Sequence, residues 1–161
     1  MTKLATTICA VALAVSAGQA NAAACMDGKI DLAAEFASSD YVAKGKVVGI
    51  DHDQRVTYDY KGKTYSDLVD RVAIRVQENF KRPSNSVIYF DNTQDSASFP
   101  VEIGKSYLFF LARSSPADPL HVDSCGSSTE LRGSGLITLS RIKRLSADEV
   151  RRSNGSREPL R

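Results

Sequence analysis

After one early charge, Lys3, the chain runs from Leu4 to Gly18 without another and then reaches a crowd of small residues, Ala20-Asn21-Ala22-Ala23-Ala24. A basic start, an apolar middle and a small-residue end form the pattern of a secretory leader. This feature constrains the fold most, because only the residues beyond it are left to build a domain, and that domain matures where thiols oxidise. The uncharged run is about 15 residues, short of the roughly 20 that a helix needs to span hydrocarbon. Removal is therefore expected rather than a retained anchor, and no later segment is apolar enough to make a transmembrane span. The expected leader is 1–22, with a cut as late as residue 24 equally allowed. Ala20 and Ala22 satisfy the small-residue requirement for the first cut, Ala22 and Ala24 for the second. The later cut would make Cys25 the first residue. A lipid anchor on Cys25 is a third option, although Ala22 stands where that signal usually carries a bulky apolar side chain. The expected location is secreted or periplasmic.

About 140 residues then remain, enough for one domain with a core of its own and too few for two. The whole chain has 21 basic and 19 acidic residues. That near balance is no footprint of nucleic-acid binding, which would want a strongly basic face. Of the three cysteines, Cys9 lies in the leader, leaving Cys25 and Cys125. An even pair in an oxidising compartment reads as one disulfide. Such a long closure is worth at most roughly 4–5 kcal/mol in the chain-entropy picture. The rival use of two thiols, a zinc cage, would want closer spacing and more ligands.

The first predicted element is a short helix in which Ile30, Leu32, Ala33 and Phe36 share one side while Asp31 and Glu35 face out. Tyr41 to Ile50 is β-rich, with Gly45 and Gly49 suggesting bulges or tight coiling. Polar residues fill 51–70, and Lys61-Gly62-Lys63 reads as the tip of a hairpin that projects from the body. Val72, Ile74 and Val76 then alternate with Arg71, Arg75 and Gln77, the clearest half-buried strand. Further strands are expected at Ser86 to Asp91, at Tyr107 to Leu111 (apolar on both faces, as in a central strand) and at His121 to Cys125. Polar loops are expected at Asn92 to Ser98 and Ser114 to Pro119. Gly126 to Gly135 reads as irregular, and Leu136 to Leu139 as a strand or packed turn. A last helix is expected to start at the capping box Ser146-Ala147-Asp148-Glu149 and to stop at Asn154-Gly155. The tail, 155–161, reads as disordered. The sum is a mainly β domain over 23–154: a five-stranded antiparallel barrel with a short N-terminal and a C-terminal helix, a smaller β-sandwich being the alternative.

Catalytic chemistry finds little purchase. Asp51-His52-Asp53 holds one of the two histidines, but neighbouring residues on a strand point to opposite faces and would not converge. His121 reads as a packing or surface residue near Cys125. No G-x-S-x-G elbow occurs, and Gly133-Ser134-Gly135 reads as a small-residue loop. The carboxylates Asp67, Asp70, Glu78, Asp91 and Glu102 are scattered over the β region. No catalytic residue, cofactor or intrinsic metal is expected, and the chain does not read as an enzyme. The stretch 141–161 carries seven basic and three acidic residues, a charge excess that suits a solvated helix face or an anionic surface.

The order of these features resembles one family. Cys25 is followed by a helix ending in Phe36-Ala37-Ser38-Ser39-Asp40 and by the strand Tyr41-Val42-Ala43-Lys44-Gly45-Lys46-Val47-Val48. Val76-Gln77-Glu78-Asn79-Phe80-Lys81-Arg82-Pro83 and Gly104-Lys105-Ser106-Tyr107-Leu108 come next, then Cys125-Gly126 and a closing helix over Leu145 to Arg152. Together they look like the inhibitory domain of the tissue inhibitors of metalloproteinases, within the netrin-like group of OB-fold barrels, in a reduced form such as exported bacterial proteins carry. The family's Cys-x-Cys start, its further cysteines and its second domain have no counterpart here. The resemblance implies an OB-type barrel whose Cys25–Cys125 bridge joins the N-terminal segment to the sheet. It also implies an inhibitory edge, provided cleavage falls after Ala24: the free amine and carbonyl of Cys25 chelate the zinc of a metalloprotease, Met26 enters the substrate pocket, and the loop 92–98 flanks them. The expected partner is thus a zinc metalloprotease or, if the domain is a non-inhibitory interaction module, another extracellular or envelope protein.

Overall fold

The computed structural model describes residues 31–82 and 86–155. The expected leader, Cys25, Met26 and the helix residue Ile30 lie outside the described residues. The elements run α1 (Leu32–Ser38), β1 (Tyr41–Tyr60), β2 (Lys63–Lys81), β3 (Val87–Thr93), β4 (Ser106–Ala112), β5 (His121–Val122), β6 (Thr129–Glu130) and α2 (Ser134–Gly155). The protein is mainly β, with an antiparallel sheet in the order β3-β2-β1-β4-β5 and β6 also paired to β4.

The hairpin of β1 and β2 dominates the sheet. Its tip is made by Lys61 and Gly62, both at positive φ (50° and 73°), the pair of signs that a two-residue I′ turn needs to match strand twist. The register slips at four places, two of which involve Gly45 and Gly49, so the expected bulges are present and coil the strands. At Gly45 the backbones approach so closely that a Cβ would collide with Ile74 Cγ2. From Gln54 to Tyr60 and Lys63 to Leu68 the two strands pair only with each other among the described residues. This arm of roughly 20 Å projects as expected, with all its side chains exposed apart from the half-buried Val56 and the undescribed Tyr60.

β4 is buried over Tyr107–Leu111 and divides the core in two. Tyr107, Phe109 and Leu111 point into the coiled sheet with Val47, Val72, Ile74, Phe90 and Phe99. Leu108 and Phe110 point the other way, where Phe36 of α1, Phe80 and the fully buried Ile142 of α2 cover them. Inside the sheet Phe109 sits 5.5–6.2 Å from the rings of Tyr107, Phe90 and Phe99 in tilted or edge-on contact, arrangements favoured over face-to-face stacking.

Several expectations are corrected. Among the described residues the sheet has six strands rather than five, and its pairing does not close into a barrel. Asp91 N of the edge strand β3 still donates to Leu120 O, just ahead of β5, at 2.8 Å. β5 is only His121–Val122, and the irregular stretch after it contains β6. Leu136 to Leu139 is helical, because α2 begins at Ser134, a dozen residues before the capping box. Leu139, Ile142 and Leu145, at i, i+3 and i+6, pack on the sheet and make that turn part of one amphipathic helix. Ser146 is therefore interior to α2, and its hydroxyl donates to Phe80 O at 2.8 Å instead of capping. No helix among the described residues is long and apolar enough to cross a membrane.

Candidate functional site

Asp31 is the N-cap of α1. Its Oδ1 accepts from Ala33 N and Ala34 N at 2.8 and 3.0 Å, satisfying amides that an α-helix leaves orphaned. Four residues on, Glu35 was expected to face solvent. It is instead buried, 8% exposed, and both its oxygens accept the amide of Ser127, at 2.9 and 2.8 Å. A Cβ on Gly126 would collide with Glu35 Oε1, so the loop after Cys125 can lie on this carboxylate only because residue 126 is glycine. The other end of α1 is held as firmly. Lys81 Nζ donates to Phe36 O and Ala37 O at 2.8 and 2.5 Å, and burial pushes its ammonium below the ordinary lysine range. A cation at the carbonyl end of a helix is the favourable polarity.

These ties place the start of α1 beside Cys125, which is disulfide-bonded. Asp31, Leu32 and Ala33 share a cleft of about 750 Å³ with Cys125, Gly126, Ser127 and the α2 residues Thr138, Arg141, Arg144 and Leu145. On the far side of the Cys125 loop, Ser124 and Ser128 share a second cleft, about 420 Å³, with Phe99, Pro100 and Tyr107. The loop 92–98 leads directly into that second wall. Its ends are pinned by Asn92, whose side-chain amide both donates to Phe99 O and accepts from Phe99 N at 2.9 Å. Cys125 thus stands between the first helix and the segment following the polar loop. Its amide donates to Asp123 Oδ1 at 2.9 Å. His121 is exposed and pairs across the sheet with Ala112.

A second cluster lies at the base of the arm, where alternation was expected to keep Asp51, His52 and Asp53 apart. The register slip between Asp51 and Gln54 and the positive φ of Asp53 (56°) break that alternation. His52 Nδ1 lies 3.0 Å from Asp70 Oδ2. Gln94 Nε2 donates to Asp53 Oδ1 and Asp70 Oδ1 at 3.0 and 2.8 Å. Partial burial pushes the Asp70 carboxyl up, but the hydrogen bonds from Gln94, His52 and the Asp53 amide outweigh it and hold the group below its ordinary value. Among the described residues no three His, Cys, Asp or Glu side chains are placed to hold a metal ion.

The other carboxylates are dispersed among separate partners: Asp67 with Tyr58, Glu78 with Lys143, Asp91 with Arg71 and Glu102 with Lys105. Sequence reasoning passed over Glu35 because a charged residue on a short helix is normally solvated. Asp31 directly ahead of an apolar run was the readable signal, a helix start that sets the phase of Glu35. Neither a protein-family model nor a curated protein sequence matches the chain.

Proposed function

We propose that this protein is an exported binding protein that inhibits a zinc metalloprotease through an edge formed by Cys25 and Met26, with Cys25 bridged to Cys125. The observation that carries this reading is the strap from Glu35 to Ser127, which sets Asp31 and Cys125 on one cleft. The chain between residues 25 and 31 can span roughly 20 Å when extended, ample to bring Cys25 to Cys125. A terminal amine and carbonyl on one residue can together take the open position of a catalytic zinc. A cross-link to a rigid sheet lowers the ordering cost of presenting them. Met26 supplies a flexible apolar side chain for the adjoining pocket. In this reading the chain needs no catalytic residue, cofactor or metal of its own.

N-terminal sequencing of the exported protein tests it first. A start at Cys25 is expected, whereas a start at Ala23 blocks the amine and removes the mechanism. With Cys25 first, Met26→Gly should weaken inhibition of a susceptible zinc metalloprotease roughly tenfold or more, as loss of a buried side chain implies. Undiminished potency would count against the wedge.

One observation favours a second reading, a non-inhibitory interaction module in the envelope or outside the cell. Tyr58 and Tyr65 stack across the arm at 5.7 Å and stay 47% and 41% exposed, the kind of rigid aromatic pair that anchors protein interfaces. A start at Ala23 would leave this reading intact.

A further inference from the structure

Thr138, Arg141, Arg144 and Leu145 succeed one another at i, i+3, i+6 and i+7 on α2 and turn the same stripe of the helix toward the Cys125 loop and the first turn of α1. Other cations of this helix are engaged: Lys143 lies 3.0 Å from Glu78, and Arg151 is 4.0 Å from Asp148. Arg141 and Arg144 have no acidic partner among the described residues. Like charges one turn apart on a helix repel each other. The wall opposite offers one carboxylate, Asp31, and its Oδ1 is already taken by the amides of Ala33 and Ala34. The cleft is therefore a net cationic concavity with an unanswered guanidinium pair on one side.

Its remaining lining is of two kinds. Ser127, Ser128, Thr129 and Thr138 bring hydroxyls, those of Thr129 and Thr138 donating to Glu130 O and Ser134 O at 3.4 and 3.3 Å. The hydroxyl of Ser128 accepts from Phe110 N at 2.9 Å and so keeps its own hydrogen to donate. Leu32, Ala33 and Leu145 supply an apolar wall. At about 750 Å³ the space is in the range that accommodates a small organic ligand.

We propose that this cleft binds a small oxyanion ligand, a carboxylate or phosphate group held by the guanidinium groups of Arg141 and Arg144 and by the hydroxyls of Ser127 and Ser128. Guanidinium is the side chain suited to this task, because its planar fork meets two oxygens of either group at once. The apolar wall accepts a short hydrocarbon body attached to the anion. The site shares its cleft with Cys125, but it rests on Arg141 and Arg144, which have no role in the inhibitor reading.

The test uses the processed protein with its disulfide intact, titrated separately with inorganic phosphate and with succinate while amide and arginine Nε resonances are followed by NMR. One saturable process is expected, with shifts concentrated in 126–129 and at Arg141 and Arg144. The stronger of the two probes identifies the anion class. Arg141→Gln and Arg144→Gln should each weaken binding roughly tenfold, the loss of a charge-assisted contact. Lys143→Gln, which removes an equal charge facing Glu78, should leave it unchanged. Shifts spread evenly along α2, equal loss in Lys143→Gln, or no saturation with either probe would overturn the proposal.

Discussion

The carboxylate of Glu35 accepts the backbone N–H of Ser127 with both oxygens, at 2.9 and 2.8 Å, across 92 positions of sequence. One side chain thereby couples the first helix to the loop that carries Cys125. Removing the acceptor by Glu35→Ala leaves a part-buried amide unpaired, a loss of about 1–3 kcal/mol. Urea unfolding should show this as a lower midpoint at unchanged slope. Glu35→Gln, which keeps one carbonyl oxygen, should lose less. Equal midpoints for wild type and Glu35→Ala would mean that the strap contributes nothing to the folded state.

The coiling of the long hairpin rests on Gly45, where a Cβ would collide with Ile74 Cγ2 and come within 3.2 Å of Arg75 O. Gly45→Ala should destabilise the protein by about 1–3 kcal/mol, the usual cost of overpacking a filled core. Gly62→Ala is a useful comparison, since nothing lies near that position and only its positive φ of 73° opposes a side chain. It should cost less, and thermal unfolding of the two variants decides the order.

Ser146 distinguishes two accounts of the last helix. A true N-cap serine would let the helix fray on mutation. Here its hydroxyl bonds to Phe80 O from the middle of α2. Ser146→Ala should therefore preserve helical circular dichroism while lowering stability by about 0.5–1.5 kcal/mol. A drop in helix content with no change in stability would restore the capping account.

Asp70 ties the arm to the body and predicts an acid dependence. Burial raises its folded carboxyl, yet Gln94, His52 and the Asp53 amide together hold it below the ordinary 3.8. A depressed folded value means that the stabilisation is fully present above 3.8 and disappears as the pH falls through the lower folded value. Wild type should thus lose more stability than Asp70→Asn between about pH 5 and pH 2. Parallel pH profiles for the two proteins would refute the linkage.

Local patterns made much of the sheet legible. Alternation in Val72-Ala73-Ile74 marks a half-buried strand, a run such as Tyr107-Leu108-Phe109-Phe110-Leu111 marks one covered on both faces, and Lys61-Gly62 marks a turn, because side-chain periodicity and backbone sterics act within a few residues. The position of Cys125 beside the start of α1 is written in no local pattern.

The features that local pattern missed share one cause, contact between distant residues. The inward turn of Glu35 requires the amide of Ser127, and the space for it requires Gly126. The early start of α2 requires a sheet face of Leu108 and Phe110 on which Ile142 can be buried. His52 and Asp53 meet Asp70 only because a register slip against β2 overrides strand alternation. Periodicity in the chain determined which stretches become strands and where the hairpin turns. Tertiary packing decided which polar groups are drawn inward, because a buried charge or amide is stable only where the fold delivers its partner.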